Sequence, residues 1–187
     1  MTDTNALRQM MEEIGALKQG HFLRASGRHS DHYVQPARLF ELATQAQEVI
    51  APLAQRLRSL EADIVLGAAL GGLLAGYEVS RALGLPFIYS ERKDGAMTLR
   101  RGFTITPGAR VLLIEDEVQT GTSVREMTEI VRALGGTVAG IGCIVDKSGG
   151  KARFDTPFES LLSIPVIHYT PKECPMCAEG IPLQHSP

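Results

Sequence analysis

Two adjacent carboxylates, Glu115 and Asp116, stand shortly before a run of small, mostly hydroxyl-bearing residues, Thr120-Gly121-Thr122-Ser123. The acids can accept hydrogens from hydroxyl groups or hold a hydrated divalent ion. The second run, if it opens a helix, offers free backbone N–H groups and hydroxyls to an anion. A ligand with a diol at one end and a phosphate at the other suits both halves. Upstream, Arg92, Lys93, Arg100 and Arg101 lie in one polar stretch, where positive charges beside an anion site would neutralise a departing polyanion. The glycine-rich turn Gly67–Gly72, GAALGG, lets an anion approach the backbone, yet it lacks the GxxxxGK[ST] spacing of a Walker loop. Cys174 and Cys177 form a lone CxxC, which supplies two metal ligands of the usual four, and the expectation here is a capping tail. His29 and His32 read as surface residues.

These groups need elements to position them. Val111–Ile114 is an apolar run after the turn-like Pro107-Gly108, as expected of a strand buried on both faces. Its C-terminal end is where ligands bind in an open α/β sheet, and the acids stand there. Val124, Met127, Val131 and Leu134 recur at helical spacing, and Ser123 with Glu126 has the form of a capping box. Earlier, Leu7, Met10, Met11, Ile14 and Leu17 mark a helical face that Gly20 should close. Residues 20–36, with a Ser-Gly pair in the middle, read as a hairpin or extended segment. A helix is expected over Thr44–Leu60, with Thr44 and Gln47 as its capping box and Pro52 forcing a kink or a later start. Strands are expected at Asp63–Gly67, Pro86–Ser90 and Thr137–Asp146, with Cys143 a small core residue of the last. A helix from the Gly-rich turn to Leu83 stops at Gly84. Residues 91–102 read as a mobile basic loop, and Phe154–Ser163 with Pro165–Tyr169 as a final strand pair. The alternation of strand and helix argues for α/β with a parallel sheet.

A chain of 187 residues suffices for one domain with a sizeable core. A net charge of -2 gives no ground for a nucleic-acid partner. No apolar run reaches membrane-spanning length, and Met1–Leu17 is amphipathic and unlike a secretory core. Three cysteines, an odd number, do not suggest a disulfide framework, so a cytoplasmic location is expected.

VLLIEDEVQTGTS, residues 111–123, resembles the 5-phosphoribosyl-1-pyrophosphate (PRPP) signature of type I phosphoribosyltransferases. In that family the paired acids bind the ribose hydroxyls and the Thr/Gly/Ser loop binds the 5-phosphate. GHFLRASGRHSDHYVQ, residues 20–35, is similar to the N-terminal hood of orotate phosphoribosyltransferases, and CPMCAEGIPLQ, from Cys174, to the C-terminus of a bacterial subset of them. The resemblance covers nearly the whole chain. It implies the type I fold, a mostly parallel central sheet flanked by helices with a small N-terminal hood. One domain would span the chain, with hood at about 1–40, core at about 41–164 and tail from about 165. It also implies orotate and PRPP as substrates, Mg2+ held mainly by PRPP with no protein metal ligands, and a homodimer. Residue by residue, it assigns catalysis to Asp116, Glu115 and Lys93. PRPP would be bound by Arg92, Lys93, Glu115, Asp116, Gln119, Thr120, Gly121, Thr122, Ser123 and Gly71, and the base by Tyr33, Gln119 and Lys147.

Several positions depart from the family pattern. Ala25 stands where a Lys usually precedes the Ser-Gly turn, Gly71 replaces a Lys, Lys147 an Arg that reads the orotate carboxylate, and Gln119 a Thr. Glu117 adds negative charge where an apolar residue is usual, and the Lys-x-His pair of the basic loop has no counterpart in Asp94–Leu99. The alternatives left open are a phosphoribosyltransferase for another base and a PRPP-sensing protein on the same fold.

Overall fold

The structure is a computed structural model that describes residues 4–185. Its centre is a six-stranded sheet. In chain order the strands are β3 (Ile64–Ala68), β4 (Phe87–Lys93), β5 (Ala96–Leu99), β6 (Arg110–Val118), β7 (Thr137–Asp146) and β8 (Phe158–Ser163). Their spatial order is β5-β4-β3-β6-β7-β8, and every pairing is parallel except β4 with β5. Val111–Ile114 has no measurable exposure, because the side chains alternate between two cores. Leu112 and Ile114 enter the core built with the helices α2 (Ala43–Leu57) and α3 (Gly71–Leu83). Val111 and Leu113 enter the opposite core, closed by Val124, Met127 and Val131 of α4 (Thr122–Ala133). An apolar run without alternation is what a strand covered on both faces requires.

A second, four-stranded sheet forms the hood, in the order β10-β1-β2-β9. Its hairpin is β1 (Leu17–Leu23) and β2 (His29–Val34), turned at Gly27 (φ 75°). The far end of the chain supplies β9 (His168–Tyr169) and β10 (Gln184–His185). The N-terminal helix α1 (Thr4–Glu13) packs Leu7 and Met11 into the α2–α3 core.

Several expectations are corrected. The first helix ends before Gly15 (φ 70°), not at Gly20, and Leu17 already begins β1. Gly20 instead lies in that strand, where the register with β2 shifts between Gln19 and Phe22. Both capping boxes fail. The N-cap of α2 is Leu42 and that of α4 is Gly121, and neither helix has a side-chain cap. In α4, Glu126 is drawn instead into an ion pair with Arg92. Helix α2 begins at Ala43 and runs through Pro52, so the later start does not occur. The first part of the basic loop is a β-hairpin, since Asp94 (φ 52°) and Gly95 (φ 85°) form the tight turn that Asp-Gly favours. The final strand pair does not form: β8 joins β7 in the central sheet, whereas β9 joins β2 in the hood.

Candidate active site

Strand β6 outlasts its apolar run, because β7 pairs with it as far as Val118 and Asp146. Glu115 and Asp116 therefore stand on ordered strand backbone at its C-terminal end. They line a cleft of about 310 Å³ together with Arg92 and the loop from Gln119 to Ser123. That volume lies at the lower end of the range for small-molecule sites. Burial pushes the Glu115 carboxyl up to about 8; the charge of Asp116 adds to this, while the Asp116 backbone and the Ser123 hydroxyl oppose it by hydrogen bonding. Asp116 is raised to about 6, again by burial first and then by Glu117; backbone N–H donors and Lys147 pull it back. Its Oδ1 accepts the Glu117 N–H at 2.8 Å. Two crowded carboxyls with raised affinity for protons accept hydroxyl hydrogens from a diol, or sit beside a cation, with relief of their repulsion.

The acids fit only because of Gly71 at the start of α3. A Cβ there would lie 2.5 Å from both Asp116 carboxylate oxygens. The neighbouring Gly72 likewise leaves no room, with a Cβ 2.7 Å from the Ile114 carbonyl. These glycines let the Gly-rich turn close onto the end of β6.

Gly121 (φ 76°) turns the chain from β6 into α4. The first backbone bond of that helix runs from Arg125 N–H to the Gly121 carbonyl at 3.0 Å, so the N–H groups ahead of it end the helix toward the cleft. The Thr120 and Thr122 hydroxyls lie 2.9 Å apart. Arg125 pins the loop by donating to the Thr120 carbonyl and lying 5.9 Å over the Phe154 ring. The result is a preformed anion cradle beside two carboxyls.

The other predicted residues are distributed unevenly. Arg92 lines the cleft, held by Glu126 through two bonds of 2.5 and 3.1 Å. Lys93 is exposed and not among the residues that line it. Gln119 lines it too: its Nε2 donates to the carbonyls of Lys147 and Val166 at 3.3 and 3.4 Å, and its Oε1 is buried without a partner. Lys147 is 2% exposed, and its Nζ lies 2.5 Å from Glu117 Oε1, so it is not open to a ligand in this conformation. Two separate departures from the family pattern, Glu117 and Lys147, thus form one ion pair. Tyr33 is buried in the hood against Phe22, with ring centroids 5.9 Å apart, and does not line the cleft. Ala25 is in the exposed hairpin turn.

His29 groups with the CxxC, a contact that residue spacing does not show. His29 is buried, not a surface residue, and gathers with His21, Cys174 and Cys177. The CxxC was visible, but nothing in the spacing announced histidines more than a hundred residues away.

The phosphoribosyl transferase domain family matches residues 38–173. The chain is 45% identical over 175 residues to the orotate phosphoribosyltransferase of Caldanaerobacter subterraneus, covering 94% of this chain and 92% of that one. It is 43% identical over 178 residues to the orotate phosphoribosyltransferase of Thermotoga maritima, covering 95% of each. The fold also matches the crystal structure of orotate phosphoribosyltransferase from Aeropyrum pernix. That match has a TM-score of 0.69 at 24% identity and covers 84% of this chain and 93% of that one.

Proposed function

This chain belongs to the orotate phosphoribosyltransferases, within the wider phosphoribosyltransferase family, and from that premise we infer how its own residues carry the reaction. It converts orotate and PRPP to orotidine 5-monophosphate and pyrophosphate, a step of pyrimidine nucleotide biosynthesis. The observation that carries the residue assignments is the cleft itself: paired carboxyls and a helix-end anion cradle side by side at the C-terminal end of β6.

Glu115 and Asp116 accept the ribose hydroxyls, which orients C1 and favours the positive charge that develops there as pyrophosphate leaves. Thr120, Gly121, Thr122 and Ser123 hold the 5-phosphate by N–H and hydroxyl donors. The orotate ring lies on the side of Gln119, whose unpartnered buried Oε1 is an acceptor for a ring N–H. Arg92 exchanges Glu126 for pyrophosphate oxygens. Lys93 lies outside the cleft of its own chain, which supports its use on pyrophosphate in the partner of a homodimer.

Mg2+ fits this cleft, because Arg92 is the only Lys or Arg among the described residues lining it, against Glu115 and Asp116, while the third acid, Glu117, is held by Lys147. When bound it would be held by PRPP oxygens beside Glu115 and Asp116 and would supply neutralisation of the diphosphate charge. No nucleic acid enters the proposal, given a net charge of -2. Among the described residues no helix is long and apolar enough to cross a membrane. A cytoplasmic location is part of the proposal, supported by three free cysteines.

The test is a base panel with purified protein, PRPP and Mg2+, following pyrophosphate release with orotate, uracil, hypoxanthine, guanine, xanthine and adenine. Turnover confined to orotate is expected. Turnover with a different base would reassign Gln119, and PRPP binding without turnover would make the chain a sensor. Asp116→Asn should lower kcat by about 100-fold or more. Activity equal to the wild type would remove Asp116 from the ribose site.

A further inference from the structure

Outside the cleft, one cluster of chemically capable side chains has no part in the reaction. His21, His29, Cys174 and Cys177 each bring one ligand atom to within 4.8 Å of the others. None of them lines the cleft. They come from β1, from β2 and from the C-terminal tail, where α5 (Pro175–Ala178) is a single helical turn. We propose that they form a structural zinc site of the two-cysteine, two-histidine type, which clamps the C-terminal tail to the hood hairpin.

The geometry is that of a collapsed tetrahedron. His21 Nε2 lies 2.8 Å from His29 Nδ1, 3.4 Å from Cys174 Sγ and 3.7 Å from Cys177 Sγ. Cys177 Sγ lies 3.3 Å from His29 Nδ1. Tetrahedral zinc, with bonds of about 2.3 Å to sulfur and about 2.0–2.1 Å to nitrogen, sets N···N near 3.4 Å and N···S near 3.6 Å. Of these four distances the one furthest from that geometry is between the two nitrogens, which must part by about half an ångström. His21, His29 and Cys174 are 1%, 5% and 3% exposed, and Cys177 closes the rim.

The hydrogen bonds point the same way. His21 Nδ1 donates to the Ile181 carbonyl at 2.8 Å. In the neutral ring this leaves Nε2 with a lone pair and no hydrogen. Without a metal, His29 N–H and the two thiols have that one nitrogen lone pair and each other's sulfur, a weak acceptor, to share. With a metal, two nitrogens and two thiolates each donate to the same centre, and the Ile181 carbonyl becomes the outer partner that fixes the ring. Local structure serves this end as well. The register shift beside His21 turns its side chain inward, and the helical turn after Cys174 carries both sulfurs to one side. Soft sulfur and imidazole donors in a closed tetrahedron select zinc over the Mg2+ of the reaction.

The tail needs such a clamp. Among the described residues beyond Cys177 the tail adds the Ile181 carbonyl bond to His21 and the short strand β10, paired at Phe22 and Leu23, while its apolar Ile181 and Leu183 remain 39% exposed.

The test uses the whole chain, purified reduced and without chelator. Elemental analysis should find about one zinc per chain, and cobalt exchanged into the site should show thiolate charge transfer and tetrahedral d–d bands. Cys177→Ser and His29→Gln should each lose most of the metal and those bands. Stripping zinc should lower Tm by on the order of 5 °C or more, restored by zinc and not by Mg2+. Less than about a tenth of an equivalent retained after zinc addition would overturn the proposal, as would a Cys174–Cys177 disulfide in the isolated protein. Undiminished zinc in both variants would overturn it as well. Should a variant fail to fold, the cobalt spectrum of the wild type decides alone.

Discussion

Glu115 is 8% exposed and next to Asp116, and its carboxyl is pushed up to about 8 by burial and by that neighbour. The folded state therefore holds a proton on Glu115 that the unfolded chain releases at about pH 4. Where the native state binds more protons, stability falls as pH rises, so this cost grows from about pH 4 and is complete above about pH 8. Glu115→Gln removes the titration. The Tm of the variant relative to wild type should climb between about pH 5 and about pH 9 in thermal scans, and a pH-independent difference would refute the shift. The same window governs the reaction: kcat/KM for PRPP should rise as pH passes about 6, where Asp116 becomes an ionised acceptor. Lys147 and Glu117 pose a different question at this scale. Lys147→Met strands Glu117, whose side chain is 28% exposed, so the loss should fall below the range for fully buried pairs, at about 2 kcal/mol in urea unfolding. The double variant Glu117→Gln, Lys147→Met should recover most of it. If the two effects simply add, the pair is not coupled.

At the scale of elements, the cleft is a meeting of three segment ends: β6, the start of α3 and the start of α4. Gly71→Ala tests how tight that meeting is. The added Cβ, 2.5 Å from the Asp116 oxygens, can be accommodated if that side chain turns away. The expected outcome is a kcat/KM for PRPP lower by about 100-fold with Tm nearly unchanged. Normal kinetics would mean that the acid does not hold this position during turnover. Elements also show why local signals mislead. Ser123 and Glu126 have capping-box spacing, but Glu126 gains a bidentate partner in Arg92, and Gly121 takes the N-cap. The Asp94-Gly95 turn is legible in the dipeptide itself, whereas the four basic residues around it carry the pattern of a solvated loop.

At the scale of the whole molecule, α3 and the Leu70 that caps its start carry an exposed apolar stripe. Leu70, Leu74 and Tyr77 are 87%, 46% and 52% exposed at helical spacing. A stripe of this kind marks an interaction surface, and a second copy of the chain is the occupant that the proposed homodimer supplies. Leu74→Glu should convert a dimer into a monomer in light scattering coupled to gel filtration. A wild-type monomer at micromolar concentration, or a dimer unaffected by this substitution, would place the interface elsewhere or abolish it.

The sequence by itself determined the parallel sheet, the strand–loop–helix around Glu115 and Asp116, and the chemistry those residue types allow. Each of these depends on neighbours in the chain: apolar runs, adjacent acids, and glycine where the backbone must turn. Tertiary structure alone decided the rest. It paired Glu117 with Lys147, set Gly71 against Asp116, and brought His21 and His29 to Cys174 and Cys177. Those contacts join segments that lie far apart along the chain, and a side chain's partner across such a distance is set by how layers and sheets dock. Local spacing carries no record of that docking.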